Sequence, residues 1–135
     1  MAILEIKRAA ERHLLGITPA LPTAWEGVSF TPPSTIYQRV QVIPRRIEDP
    51  VLSTGFHREY VSFQVFVVSP INKGTAEAIS RAEVIRDRFK KGTSLLEDQI
   101  RIHVLNTPQI AGASVQQDRV IVPVLIELVA EVYSY

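Results

Sequence analysis

From Tyr60 to Val68 the sequence alternates without a break. Val61, Phe63, Val65 and Val67 take one side, and Tyr60, Ser62, Gln64, Phe66 and Val68 the other. A period of two in β-branched and aromatic residues predicts a strand with one face fully buried and one partly buried. Ser69-Pro70 is expected to end it, because proline cannot donate to a ladder. Asn72 and Thr75 follow as candidate helix N-caps. The period then becomes helical. Ala78, Ile79, Ala82, Ile85 and Phe89 form an apolar stripe, which leaves Arg81, Glu83, Asp87 and Arg88 mainly for solvent. Arg86, Arg88, Lys90 and Lys91 crowd the last turn, where positive charge suits the helix dipole. Gly92 supplies the stop. The stretch from His57 to Lys91 is thus a strand whose helix folds back onto a sheet. The other elements are expected to pack around it.

A chain of 135 residues is expected to form one domain, residues 1–135. That length buries roughly two-thirds of the unfolded surface, so a core forms without staples. A hydrophobic content of 46% argues against disorder. The net charge of +1 is too small to indicate a nucleic-acid surface. Without cysteine there are no disulfides, thiol nucleophiles or thiolate metal sites. No apolar run reaches the roughly 18 residues of a membrane span. The pattern of a secretory leader is missing, so synthesis in a cytosol is expected.

Ala2 to Leu15 predicts an amphipathic helix with Ile3, Ile6, Ala10 and Leu14 on its apolar face. Gly16 fits just past its end, with Ile17 as an apolar cap. Leu21 to Trp25 fits a short edge strand, and Gly27 to Ser34 a loop. Ile36 to Ile43 predicts a strand stopped by Pro44. Arg45 to Gly55 has the composition of a solvated loop, joining this strand and the next as a hairpin. About eleven residues is more than a tight hairpin needs. Thr93 to Gln99 reads as a connection, with Leu95 and Leu96 inserted in the core. Ile100, Ile102 and Val104 mark another strand, and a short strand is expected near Ala113 to Gln116. Arg119 to Tyr133 is the longest extended candidate, with a bend or bulge, or an edge position, expected at Pro123. The fold class is therefore α+β: a largely antiparallel β-sheet with two main helices packed on it.

Catalytic signatures are scarce. His13, His57 and His103 do not cluster, and no spacing suits zinc. There is no Gly-x-Ser-x-Gly and no glycine-rich phosphate loop. Asn72-Lys73-Gly74-Thr75 has the residue types of a phosphate loop in the wrong order, and reads better as a helix start. Glu127 and Glu131 lie four apart on one strand face. They are more often a solvent face or charged rim than an acid/base pair. His103 with either glutamate remains the one enzymatic alternative, provided the side chains converge in a pocket. Arg86 to Lys91 is the only basic cluster, and a DNA-binding module would need it extended into a broad face.

The order of these pieces resembles the tail terminator proteins of long-tailed bacteriophages, the family that includes the minor tail protein U of lambdoid phages. The resemblance spans nearly the whole chain. Leu21-Pro22-Thr23-Ala24-Trp25-Glu26 and Phe30-Thr31-Pro32 resemble that family's proline–aromatic segment ahead of the first full strand. Tyr37 to Pro44 resembles a strand that ends in proline before a variable loop. Tyr60 to Pro70, Asn72 to Thr75 and the helix to Phe89 resemble its central unit, and Val120 to Val132 its last strand. No single motif is diagnostic. Gly27 stands where asparagine often follows the acidic residue, and Val61-Ser62-Phe63 lacks an opening glycine.

The resemblance implies a virion structural protein with no cofactor and no catalysis. It implies a ring of copies of itself, a hexamer, that meets the tail tube protein and a head-completion or connector protein. DNA would pass through the ring, with no sequence-specific binding and no membrane partner. A head-tail joining protein, a tube subunit, and a small α+β ligand-binding or enzymatic domain remain as alternatives. The candidate subunit or tube interface is Arg45, Arg46, Ile47, Glu48, Asp49, Val51 and Leu52. Its charges would set register and Val51 and Leu52 would anchor it.

Overall fold

The computed structural model describes residues 2–50, 52, 55–71 and 74–133. Two helices are described, α1 (Ile3–Leu15) and α2 (Ala76–Arg88). The strands are β1 (Thr23–Ala24), β2 (Tyr37–Glu48), β3 (Phe56–Pro70), β4 (Ser94–Glu97), β5 (Ile100–Val104), β6 (Gln109–Ile110), β7 (Ser114–Gln116) and β8 (Arg119–Tyr133). They form one sheet in the order β1-β2-β3-β8-β5-β4, with β6 and β7 also paired to β8. Every pairing is antiparallel except β1 with β2. This is the expected α+β fold.

The alternation read from Tyr60 to Val68 is the middle of β3. Phe63 lies opposite Val42 on one side and Ile126 on the other. Val61, Phe63, Val65, Val67, Val122, Val124, Ile126 and Leu128 all turn to the face that α1 and α2 cover, and all are buried. From α1 come Ile6, Ala9, Ala10 and Leu14, and from α2 come Ala78, Ala82, Ile85 and Phe89. The Phe63 and Phe89 rings meet at 5.9 Å. Ile79 and Ile3, expected on the buried stripes, are 37% and 42% exposed.

Arg81 is the converse. It was expected in solvent but is buried, because it stands about 60° round the helix from Ala78, on the flank of the stripe. Its Nε has no hydrogen-bond partner among the described residues, and desolvation lowers its pKa. Thr75 holds the N-cap position of α2 without a side-chain cap hydrogen bond. Asn72 lies outside the described residues.

The other corrections concern boundaries. Leu95 and Leu96 are not both inserted in the core. They lie in β4, where neighbours alternate, so Leu95 packs on the core while Leu96 is 59% exposed. β4 turns into β5 through Asp98 and Gln99, both at positive φ (48° and 66°), as a type I′ hairpin turn requires. Pro44 does not stop β2, which runs on to Glu48 across a bulge between Pro44 and Arg46. Of the options expected at Pro123 the bulge does not occur against β3: β8 and β3 pair over fifteen residues without a register shift.

Candidate assembly surface

β2 extends well past its outer neighbour β1, while β3 stays paired with β8 out to Phe56. β1 covers β2 only at Gln38 and Arg39. Beyond them the Glu26 carboxylate accepts from the Val42 amide at 3.0 Å. Among the described residues, no strand pairs with the outer edge of β2 from Ile43 to Glu48. The candidate interface residues Arg45, Arg46, Ile47 and Glu48 therefore belong to a strand arm rather than a loop. Asp49 and Leu52 lie at the turn that follows. Val51 lies outside the described residues.

Alternation sorts the arm into two faces. Arg46 and Glu48 share one face with Arg58 and Tyr60 of β3. Arg58 donates to Glu48 at 3.0 Å, the Tyr60 hydroxyl donates to the same oxygen at 3.1 Å, and Arg46 stands 3.5 Å from the other. The Arg46 guanidinium also lies 3.9 Å over the Tyr60 ring. These bonds, from Arg58 first and then Tyr60, hold the Glu48 carboxyl below its usual range, and the charges of Arg46 and Arg58 add to them. The Arg58 pKa is raised in return. Arg46 and Glu48 are thus bound up within their own subunit. Arg45 and Asp49 enter no ion pair among the described residues.

Ile47 and Glu59 point to the opposite face, the one that carries α1. Ile47 is 65% exposed, yet Glu59 is buried, and its carboxylate meets His57 Nε2 at 2.9 Å. Next to them stands the first turn of α1. Ala2, Ile3, Leu4, Ile47 and Glu59 line a cavity of about 300 Å³. It adjoins a second of about 340 Å³ that runs along the arm past Pro44, Arg45 and Arg46. Together they form an apolar groove between the helix start and the arm. Sequence reading missed it. Ile3 and Leu4 looked like ordinary members of an amphipathic helix, and nothing local brings them to Ile47.

The alternative sites come out differently. His103 lies opposite Val129 in the β5–β8 register, so it shares the helix-free face with Glu127 and Glu131. Among the described residues no hydrogen bond or ion pair joins it to either glutamate, and none of the three lines the cavities described above. No cluster of three metal-ligating side chains occurs among the described residues. Of the basic residues of α1, Arg8 and Arg12 pair with Asp98 and Glu97 at 3.8 and 2.6 Å. No described helix is long and apolar enough to cross a membrane.

The fold and this surface define an α+β subunit with both helices on one face of its sheet and a long hairpin arm. A family model for the phage tail terminator protein matches residues 5–127, and the chain belongs to that family. No curated protein matches it. A solved structure known by a sequence identifier alone is 25% identical, with a TM-score of 0.78 over 100% of this chain and 99% of its own. A chain from the virion of a native gene transfer agent particle is 18% identical and shares the fold. Its TM-score is 0.67, over 96% of this chain and 98% of its own. Family membership makes this chain a structural component of a phage tail, associated with other tail components in the virion.

Proposed function

We propose that the protein closes into a ring on the head-proximal end of the tail tube. The ring ends tube growth and offers the surface to which the head joins. Its partners are further copies of itself, with six the expected number, the tail tube protein and a head-completion protein. Residues 1–135 act as one domain, without cofactor or catalysis. The observation that carries this reading is the β2–β3 arm. It ends in a fully exposed leucine, and among the described residues its outer edge is unpaired. A soluble subunit exposes such features where another chain covers them. A head-to-tail contact that closes leaves no free copy of either surface, and so limits growth.

A nonsense mutation in the phage that encodes this chain tests the reading. Tails of uncontrolled length that fail to join heads are expected. Tails of normal length joined to heads overturn it. Electron microscopy of the purified protein separates the runner-up: rings are expected, and long tubes would make this a tube subunit.

A further inference from the structure

We propose that the apolar groove between α1 and the arm is the seat for Leu52 of a second copy of this chain. The inference rests on the ring reading and deepens it by naming the two surfaces that meet.

Leu52 is 107% exposed, more open than any other large apolar residue described. A leucine left this exposed among the described residues of its own subunit gains burial only from another chain. The groove is its complement in size and chemistry. Ala2, Ile3, Leu4 and Ile47 give it apolar walls around about 300 Å³. The one carboxylate in its lining, on Glu59, is already engaged by His57, so an incoming leucine leaves no bare acceptor.

Charge gives the direction. Arg45 lines the groove where it continues along the arm, and has no ion-pair partner among the described residues of its own subunit. Asp49 stands three positions before Leu52 and also has none. Seating the leucine of one copy brings its Asp49 towards Arg45 of the next. Knob and groove are different patches of the same molecule. The contact is therefore heterologous: each subunit gives its tip to one neighbour and its groove to the other, as a ring requires.

Because the chain has no cysteine, two introduced thiols report this contact without background. Ile3→Cys and Leu52→Cys are made separately and together, checked by thermal unfolding, and treated with a short bismaleimide. Each single variant is expected to assemble without crosslinking. Their mixture is expected to give a crosslinked dimer and nothing larger. The double variant is expected to give a ladder that ends at the ring number. Leu52→Asp is expected to raise the concentration for half assembly by about tenfold or more. Asp49→Arg is expected to weaken assembly, and Arg45→Asp in the same chain to restore it.

Rings in the microscope with no crosslink between positions 3 and 52 overturn the groove assignment and leave the ring standing. A fast-migrating internally crosslinked monomer with no ladder overturns it too, because the tip would then fold onto its own groove. Neither rings nor crosslinks sinks both readings.

Discussion

Gly16 is a glycine because of where Arg88 goes. Its φ of −73° suits any residue. A Cβ there, however, would stand 2.1 Å from Arg88 Nη2. Arg88 reaches across from the end of α2 to donate through Nε to the His13 carbonyl at 3.0 Å. His13 Nε2 returns a bond to the Arg88 carbonyl at 2.8 Å, and its ring stands edge-on to Phe89 at 4.9 Å. Burial lowers the His13 pKa, the bond to the Arg88 carbonyl works against that, and the Arg88 charge lowers it again. The neutral ring is therefore the form that joins the two helix ends. Gly16→Ala displaces the flexible guanidinium rather than the backbone, so it costs one hydrogen bond, about 1 kcal/mol. In an Arg88→Ala background the guanidinium is gone and only the His13 carbonyl oxygen stays close, at 3.3 Å. There Gly16→Ala is expected to stabilise by about 0.4–1 kcal/mol, through the entropy of the unfolded chain. Urea unfolding of the four proteins in the cycle checks this. An equal effect of Gly16→Ala in both backgrounds counts against the contact.

At the scale of elements, two prolines show why strands were legible and their ends were not. The amides of Gln38 and Val42 point away from β3, to the Pro22 carbonyl and the Glu26 carboxylate. Two residues on, Pro44 faces the same open edge, where no donor is needed, and β2 runs past it. Pro123 is the counterpart in β8. Its carbonyl accepts from Ala111 at 2.9 Å, so its nitrogen faces the break between β6 and β7. The sequence alone allowed either a bend or an edge position there; the local edge is what occurs, with the pairing to β3 intact.

Period-two alternation made β3, β5 and β8 readable, because it records burial. The run Arg45-Arg46-Ile47-Glu48 also alternates, but between solvent and an ion network. Polar composition then mimics a loop. That network is expected to hold the arm. With Glu48→Gln, amide hydrogen exchange is expected to quicken at Arg46, Glu48 and Arg58 and stay unchanged in the β3–β8 centre. The wild type is expected to follow it in acid. A carboxyl whose folded pKa lies below its unfolded 4.5 stabilises fully above that value, and the effect fades as pH falls through the folded pKa. Uniform quickening across β3 would mean that Glu48 supports the whole sheet rather than the arm.

For the whole molecule, the division of labour follows from which residues meet inside the subunit. Arg45 to Leu52 stood out in the sequence as a charged and apolar insertion. Inside the subunit, Arg46 and Glu48 join each other, Arg58 and Tyr60. Arg45, Asp49 and Leu52 are left over for something else. The groove was not legible, since it exists only when the start of α1 comes to rest against the arm. A fold that does not need its arm tip is expected to survive losing it. In the β2–β3 register Glu48 lies opposite Arg58, so continuing the ladder brings Pro50 opposite Phe56. Replacing residues 51–55 with Asn-Gly closes that hairpin with a two-residue turn of the favoured twist. A shorter connection also lowers the entropy cost of closure. The shortened protein is therefore expected to unfold at the same temperature as the parent or slightly above it, and to remain monomeric where the parent forms rings. Complementing a nonsense phage with it is expected to yield overlong tails. If the shortened chain still assembles and restores tail length, the arm tip has no part in the ring. If it melts well below the parent, the tip belongs to the fold.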